Sequence, residues 1–237
     1  MRLSAMAETY YNSLESNMHK DYTLDQYIAL LVDQEWEYRH NKRIKNLIAS
    51  AGFRYPASIQ DVDYSANRSL DKTNFERLAL LDFIKRGENV IITGATGTGK
   101  SYLAQVLGHN ACLMQYKTMY CNFSRLMDQI QLAKPEGTYL KLMNKIEKTK
   151  LLILDDFGLT TFDDQARNAL MDIVEMKYDK FSLIIAAQIP VKCWHETIGE
   201  GTIADAILDR LVHSSHRLEL TGESLRRNKL KKAQNNL

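Results

Sequence analysis

The stretch of this sequence with the clearest chemistry runs from residue 94 to residue 101, Gly-Ala-Thr-Gly-Thr-Gly-Lys-Ser. Its spacing, G-x-x-x-x-G-K-S, is that of a phosphate-binding loop, in which backbone N–H groups and a helix N-terminus face nucleotide phosphates. In such loops the lysine reaches the β- and γ-phosphates, and the serine hydroxyl binds Mg²⁺. The predicted nucleotide-binding residues are Gly94, Ala95, Thr96, Gly97, Thr98, Gly99, Lys100 and Ser101.

Two adjacent carboxylates follow an apolar run further along the chain. Residues 151–156, Leu-Leu-Ile-Leu-Asp-Asp, indicate a buried strand with Asp155 and Asp156 at its carboxyl end. In an open α/β sheet that edge is where ligands bind. We therefore expect Asp155 to hold Mg²⁺, usually through water, and Asp156 to polarise the attacking water.

The segment 155–158 also matches D-x-x-G, a pattern that occurs in GTPases. A GTPase needs N-K-x-D later in the chain to bind guanine. The nearest match, Asn-Lys-Ile-Glu at 144–147, precedes the aspartates and ends in glutamate. Both its position and its chemistry disagree with a guanine site, so the predicted cofactors are ATP and Mg²⁺.

Two further polar residues are predicted to belong to the ATP site. Gln188 ends an apolar run, and hydrolytic ATPases of the AAA+ type place such a strand between the phosphate-loop strand and the Asp-Asp strand. We expect Gln188 to sense the γ-phosphate and the water. Arg210 follows in a helix that Thr202 can cap. In AAA+ assemblies an arginine at this place reaches the ATP of the neighbouring subunit and stabilises charge on the transferred phosphoryl group.

Alternating strands and helices must position these residues. Apolar runs at 89–93, 118–123, 150–156, 181–188 and 217–220 alternate with amphipathic segments. This alternation indicates a parallel sheet covered on both faces. The predicted fold is an α/β AAA+ P-loop ATPase with a five-stranded parallel sheet flanked by helices, plus a small N-terminal helical domain.

The N-terminal region has its own helix signals. Thr23 and Gln26 have the spacing of a capping box, and Gly52 is placed to end the same helix. We predict an N-terminal helical domain for DNA or a partner at 1–60. The ATPase domain, with a basic C-terminal tail, is predicted at 61–237.

Composition limits the class of protein. The chain has 237 residues, of which 45% are apolar and 25% charged, values ordinary for a globular protein. No apolar run approaches the roughly 18 residues that a membrane helix needs. Three scattered cysteines suit a reducing compartment, so we expect a cytoplasmic protein without a membrane partner.

Basic residues are unevenly distributed, although the net charge is only +2. The segment 38–45 and the tail 225–237 are both basic and contain no acidic residue. Such clusters can neutralise DNA phosphates, and they can equally be a solvated surface. The predicted DNA contacts in the first cluster are Arg39, Lys42, Arg43 and Lys45.

Nearly the whole chain resembles the IstB family, the ATP-binding helper proteins of bacterial insertion sequences. The resemblance is carried by residues 23–64, the phosphate loop, residues 151–158 and residues 209–226. It implies an AAA+ ATPase that assembles with ATP on double-stranded DNA as a homo-oligomer and directs the transposase of the same element to its target. It also implies that Arg226, or the adjacent Arg227, senses nucleotide in its own subunit. The roles expected above are implied again for Lys100, Ser101, Asp155, Asp156, Gln188 and Arg210.

Two other functions compete with this interpretation. The ATPase motifs are also similar to those of DnaC, a replicative helicase loader, and more distantly to those of the initiator DnaA. A loader would use its N-terminal helices to bind a protein ring, whereas the basic segment 38–45 favours DNA. A small-molecule kinase would usually carry several arginines in a lid between the loop and the aspartates. Residues 102–150 contain only Arg125, which disfavours a kinase.

Overall fold

The computed structural model describes residues 3–65, 68–178 and 180–225. The chain divides into two compact units, Met1–Ala49 and Ser50–Leu237. The first unit is helical, and the second contains the whole sheet.

Two helices form the first unit. Helix α1 spans Ser4–Glu15, a 3₁₀ turn spans Met18–Asp21, and helix α2 spans Leu24–Ala51 and so continues into the second unit. The predicted capping box is present at the start of α2. The Thr23 N–H donates to Gln26 Oε1 at 3.0 Å, and the Gln26 N–H donates to Thr23 Oγ1 at 3.3 Å.

A single carboxylate ties α1 to α2. Glu35 of α2 is buried, and its Oε2 accepts hydrogen bonds from the backbone N–H groups of Ala5 and Met6 in the first turn of α1. Its Oε1 accepts from Arg39 Nε at 2.6 Å. The hydrogen bond from Arg39 lowers the pKa of Glu35. Arg39 therefore has an acidic neighbour on its own helix.

An apolar stripe remains exposed along α2. It consists of Leu24, Ile28, Val32 and Trp36, spaced four residues apart and therefore on one side of the helix. The Trp36 side chain is 63% exposed. We call these four residues the α2 stripe.

Gly52 ends α2 as predicted, with a φ of 80°. The residues that follow belong to the second unit: Ala51 is 1% exposed, and Phe53 and Ala57 pack in one of its apolar clusters. The structure thus groups this segment with the sheet unit, because its apolar side chains are buried there. The functional domain boundary after residue 60 stays a prediction.

The sheet has five parallel strands in the spatial order β2-β3-β4-β1-β5. Its three central strands are almost wholly buried, because their side chains are apolar without alternation. The strand that precedes Gln188 lies between the phosphate-loop strand and the Asp-Asp strand, as predicted. The strands are β1 Asn89–Gly94, β2 Thr118–Asn122, β3 Leu151–Phe157, β4 Ser182–Ala187 and β5 Ser215–Leu220.

Helices pack on both faces of this sheet. They are α3 Lys72–Ala79, α4 Asp82–Lys85, α5 Lys100–Leu113, α6 Phe123–Ala133, α7 Tyr139–Glu147, α8 Asp164–Lys177, α9 Trp194–Ile198 and α10 Gly201–Val212. One buried cluster joins the sheet to α6, α7, α8 and α10, and the other joins it to α3, α4 and α5. Across the residues that the structure describes, no helix is long and apolar enough to cross a membrane.

The start of α10 differs from the expectation that Thr202 caps it. The helix begins at Gly201, and Glu200 occupies the N-cap position without a side-chain cap. Its first turn closes when the Ala204 N–H donates to the Glu200 carbonyl at 3.0 Å. Arg167 lies 3.9 Å from the Glu200 carboxylate and donates to the Ile198 carbonyl. These contacts hold residue 200 at the turn, so the helix starts before Thr202.

Candidate nucleotide site

The phosphate loop joins β1 to α5 at the carboxyl edge of the sheet. Gly94 and Gly97 have φ angles of 150° and 85°. A Cβ on Gly94 would overlap the carbonyl oxygen of Leu220 in β5, so a side chain at this position is excluded. The Leu225 N–H donates to the Gly97 carbonyl at 2.9 Å, which brings the chain after β5 against the loop.

Lys100 folds back over the loop that it ends. Its Nζ donates to the Ala95 carbonyl at 2.9 Å, and the residue is 7% exposed. The Thr98 hydroxyl donates to the same carbonyl at 2.9 Å. The ammonium group is therefore held against the loop backbone, within the segment predicted to bind phosphates.

Asp155 lies directly beside the loop serine. The Ser101 hydroxyl donates to Asp155 Oδ1 at 2.8 Å, and the Tyr120 hydroxyl donates to Oδ2. Asp155 is 1% exposed. Burial, and then the hydrogen bond to Asp155, raise the pKa of the Tyr120 hydroxyl, which keeps it a donor. A hydroxyl and a carboxylate are hard oxygen ligands of the kind that Mg²⁺ takes together with water. The donor set therefore fits the predicted metal.

Asp156 has a conformation unlike that of its neighbours in β3. Its φ is 58°, and the register between β3 and β4 shifts between Leu154 and Phe157. A left-handed backbone at a residue other than glycine is uncommon and often marks a functional position. Asp156 Oδ2 accepts a hydrogen bond from Asn122 Nδ2 at 2.9 Å and lies 3.7 Å from Arg54 Nη2.

Gln188 contacts the phosphate loop from the end of β4. Its Oε1 accepts a hydrogen bond from the Thr96 hydroxyl at 2.7 Å. The Asp156 N–H donates to Asp155 Oδ1 at 3.0 Å. The structure thus brings the loop, both aspartates and Gln188 together at one edge of the sheet.

Arg210 does not join this group within its own chain. Its Nη1 donates to the Ala206 carbonyl, its Nη2 lies 3.7 Å from Glu175 Oε1, and its guanidinium lies 5.8 Å from the centre of the Tyr178 ring. Its backbone carbonyl accepts a hydrogen bond from Asn89, the first residue of β1. Arg210 therefore lies near the amino edge of the sheet, opposite the phosphate loop.

The four basic residues predicted to contact DNA all lie exposed on α2. Helical spacing places Arg39, Lys42 and Arg43 on neighbouring positions of one side, and Lys45, three residues after Lys42, lies at the edge of that side. The Lys42 ammonium lies 5.4 Å from the centre of the Tyr38 ring. We call the first three residues the α2 basic face.

The predicted nucleotide sensor falls outside the described residues. Arg226, predicted to sense nucleotide, and Arg227 beside it lie outside them. In the described ranges no group of three or more histidine, cysteine or acidic side chains could hold a metal ion. All three cysteines are free thiols.

Comparison with known proteins decides the family. The profile of the IstB-like ATP binding protein family matches residues 1–233. The chain belongs to this family. The IstB-like chain is 40% identical over 233 residues to the insertion sequence ATP-binding protein y4pL of Sinorhizobium fredii. The aligned residues cover 98% of this chain and 95% of y4pL.

Solved structures place the IstB-like fold among AAA+ proteins. The DnaC helicase loader matches with a TM-score of 0.55 and 16% identity, covering 66% of this chain and 94% of DnaC. AMPPCP-bound DnaA from Aquifex aeolicus matches with a TM-score of 0.59 and 18% identity, covering 76% of this chain and 56% of DnaA. The sheet unit therefore has the predicted AAA+ P-loop ATPase fold.

Sequence reasoning missed one buried residue of the IstB-like site entirely. Arg68 is 2% exposed; its Nη1 donates to the Thr98 carbonyl at 3.2 Å, and its Nη2 donates to the Asp63 carbonyl at 2.7 Å. Burial lowers the pKa of Arg68. The guanidinium supports the phosphate loop from outside. It lies in a segment without periodicity, so the sequence contains no signal for it.

Asn122, Tyr120 and Arg54 were missed as well. A signal did exist for Asn122, because it ends the strand β2 at the same carboxyl edge as the two aspartates. Tyr120 shares that strand. Arg54 offered no such signal, because it follows α2 and meets Asp156 only through the fold.

Proposed function

We propose that this chain is a Mg²⁺-dependent ATPase that assembles on double-stranded DNA and recruits or stimulates the transposase of its insertion sequence. The observation that carries the ATPase is the contact between Ser101 and Asp155, 2.8 Å long, beneath a loop against which Lys100 is held. A hydroxyl paired with a carboxylate, together with a lysine held against a glycine-rich loop, supports a site that binds metal and phosphate in a nucleoside triphosphatase.

The residues divide the chemistry between them. Loop N–H groups and Lys100 bind the phosphates, and Ser101 and Asp155 would hold Mg²⁺, which would supply positive charge to offset that of the phosphates. A water oxygen then bonds to the γ-phosphorus while the bond from that phosphorus to the β–γ bridging oxygen breaks. ADP leaves with the electron pair. Asp156 orients the water and accepts its proton, and Gln188, which contacts Thr96 of the loop, senses the γ-phosphate.

Arg210 is proposed to complete the site of a neighbouring subunit. In its own chain it is separated from the phosphate loop by the length of β1. Charge on the transferred phosphoryl group would then be stabilised only in an assembly. Nucleotide bound at such an interface would favour the homo-oligomer over the monomer.

The first unit is proposed to contact DNA and the transposase. The α2 basic face supplies exposed cations for phosphates, and the α2 stripe supplies exposed apolar surface for a protein. Membership in a family of insertion-sequence proteins favours a transposase over a replicative helicase as the protein partner. For this reason helicase loading is the second candidate function.

One set of measurements tests the proposal. ATP hydrolysis by the full chain is measured with and without Mg²⁺ and duplex DNA, and the mass of the assembly is measured with and without ATP. We expect hydrolysis only with Mg²⁺ and larger assemblies when ATP and DNA are both present. Co-precipitation then compares the element's transposase with the host's replicative helicase. Absence of hydrolysis would refute the ATPase, and capture of the helicase alone would favour the loader.

A further inference from the structure

The residues directly after α2 follow a well-defined course along α5. Gly52, with its positive φ, lies so close to β2 that a Cβ would be 3.2 Å from the Tyr120 carbonyl oxygen. The Phe53 ring stacks on His109, with 4.2 Å between centroids. The Arg54 N–H donates to Gln105 Oε1 at 2.7 Å. The backbone at Arg54 is therefore anchored against both β2 and α5.

The side chain of Arg54 is held in turn by an aromatic ring. Its guanidinium carbon lies 5.5 Å from the centre of the Tyr120 ring, and its Nη2 lies 3.7 Å from Asp156 Oδ2. An arginine held over a ring in this way loses less freedom when it meets a carboxylate. Tyr120 itself is fixed, because its hydroxyl donates to Asp155.

Two donors from different elements thus meet one oxygen of Asp156. Asn122 Nδ2, at the end of β2, donates to Oδ2 at 2.9 Å, and Arg54 approaches the same Oδ2 from the segment after α2. Among the described contacts of this carboxylate, the hydrogen bond from Asn122 and the ion pair with Arg54 therefore both involve Oδ2. Oδ1 is the oxygen left to accept a hydrogen bond from water.

Fixing this carboxylate matters because the side chain of aspartate is shorter than that of glutamate. The position of a water bound to it depends on the orientation of the whole carboxylate, and small misplacements reduce reaction rates steeply.

We propose that Arg54 is a positioning residue for ATP hydrolysis, which orients the Asp156 carboxylate through Oδ2 so that Oδ1 faces the attacking water. This inference rests on the proposed ATPase function. It assigns Arg54 no contact with the nucleotide, so its effect is on the rate of hydrolysis and not on ATP binding.

The test uses the full chain with Mg²⁺ and duplex DNA. We expect Arg54→Ala to lower kcat by about tenfold while the Kd for ATP, measured by equilibrium binding, changes by less than about twofold. Arg54→Lys should recover part of the rate, because an ammonium can reach Oδ2 but cannot stack in the same way. Arg86→Ala is the matched control: Arg86 pairs with Glu88 at 2.9 Å on the surface and should leave kcat unchanged.

A double-mutant cycle separates positioning from a general structural effect. If Arg54 acts through Asp156, then adding Arg54→Ala to Asp156→Asn should lower kcat little further. Thermal unfolding of each variant shows that it is folded, and Arg54→Gln replaces Arg54→Ala if the latter is not.

Each other result overturns the inference. An unchanged kcat in Arg54→Ala would mean that Arg54 does not position the Asp156 carboxylate. A raised kcat would mean that Arg54 holds this carboxylate back from the reaction. The same decrease in the Asp156→Asn background would mean that it acts elsewhere. If the wild-type chain hydrolyses no ATP, the proposed function fails together with the inference. If it does hydrolyse ATP and Arg54→Ala matches it, only the inference fails.

Discussion

The side chain of Asn89 donates to the backbone carbonyl of Arg210 at 3.2 Å. Asn89 is the first residue of β1, and the phosphate loop begins where that strand ends at Gly94. A strand of this length spans about 17 Å, which is more than an arginine side chain can reach. The guanidinium of Arg210 is held instead by Glu175 and Tyr178. An effect of Arg210 on ATP hydrolysis would therefore come from a neighbouring subunit.

A mixing experiment tests this action across the interface. Arg210→Ala should still bind ATP but lose hydrolysis, since an arginine finger accounts for about a thousandfold or more in kcat. Lys100→Ala should be inactive for a different reason, because the variant has no ammonium group to bind the phosphates. When the two variants are mixed, an intact Lys100 site can face an intact Arg210, so part of the ATPase activity should return.

The mixing experiment needs proof that mixed assemblies form, for example by co-purification of two tags. Mixtures of Lys100→Ala with itself under the second tag serve as the control and should stay inactive. If mixed assemblies form and no ratio of the two variants recovers hydrolysis, Arg210 does not act in trans.

Binding and hydrolysis should separate between two residues of the site. Lys100→Ala should weaken ATP binding by at least about tenfold, because the variant lacks a charge-assisted hydrogen bond to the phosphates. Asp156→Asn should retain ATP affinity and slow hydrolysis by about a hundredfold, because its carboxylate acts on water. Equilibrium binding and steady-state turnover measure the two effects. Wild-type turnover by Asp156→Asn would remove Asp156 from the reaction.

The residues predicted from sequence are those whose signal is local. The spacing of the phosphate loop requires particular residues within one short segment, and Asp155 and Asp156 directly follow the apolar strand that carries them. The contact between Ser101 and Asp155 follows from the parallel sheet, because both lie at the same edge. A regular alternation of strands and helices made that sheet predictable.

The residues missed are those whose role depends on distant contacts. Arg68 meets Thr98 thirty positions further along, and Arg54 meets Asp156 across a still longer separation. Nothing in the sequence near either arginine distinguishes it from a surface residue. Their positions depend on how the segment before the sheet packs, and that packing also groups this segment with the sheet unit.

The buried Lys177 predicts a dependence of stability on pH. It is 1% exposed, and its Nζ donates to the Ile146 carbonyl and to both oxygens of Thr149. Burial, with a further contribution from Lys150, lowers the pKa of Lys177 to about 7. In the unfolded chain its pKa returns to about 10.4. Between these values the unfolded state binds more protons, so the free energy of unfolding should rise with pH.

Urea unfolding from about pH 7 to about pH 9.5 measures this rise, which is at most about 1.4 kcal/mol per pH unit. Lys177→Met should be less stable, because Thr149 loses its donor, and it should lack this part of the pH dependence. Lys148→Met, which removes an exposed ammonium at the end of α7, serves as the control and should keep it. Parallel pH profiles for wild type and Lys177→Met would contradict the lowered pKa.

The α2 basic face predicts how DNA binding responds to salt. Binding to phosphates releases counterions, so the logarithm of the binding constant should fall with the logarithm of salt concentration, by about 0.9 for each phosphate neutralised. Replacing Arg39, Lys42 and Arg43 together by alanine should flatten this slope by up to that amount for each phosphate that is no longer neutralised. Lys85→Ala provides the control, because Lys85 carries the same charge on α4, where it pairs with Asp82, and should leave the slope nearly unchanged. Glu35→Gln adds a second arm: it removes the carboxylate that accepts from Arg39 at 2.6 Å, which should strengthen DNA binding at low salt if the unit stays folded. Fluorescence anisotropy with duplexes of unrelated sequences measures all variants. Equal slopes for wild type and the triple variant would place the DNA contact on another surface of the chain.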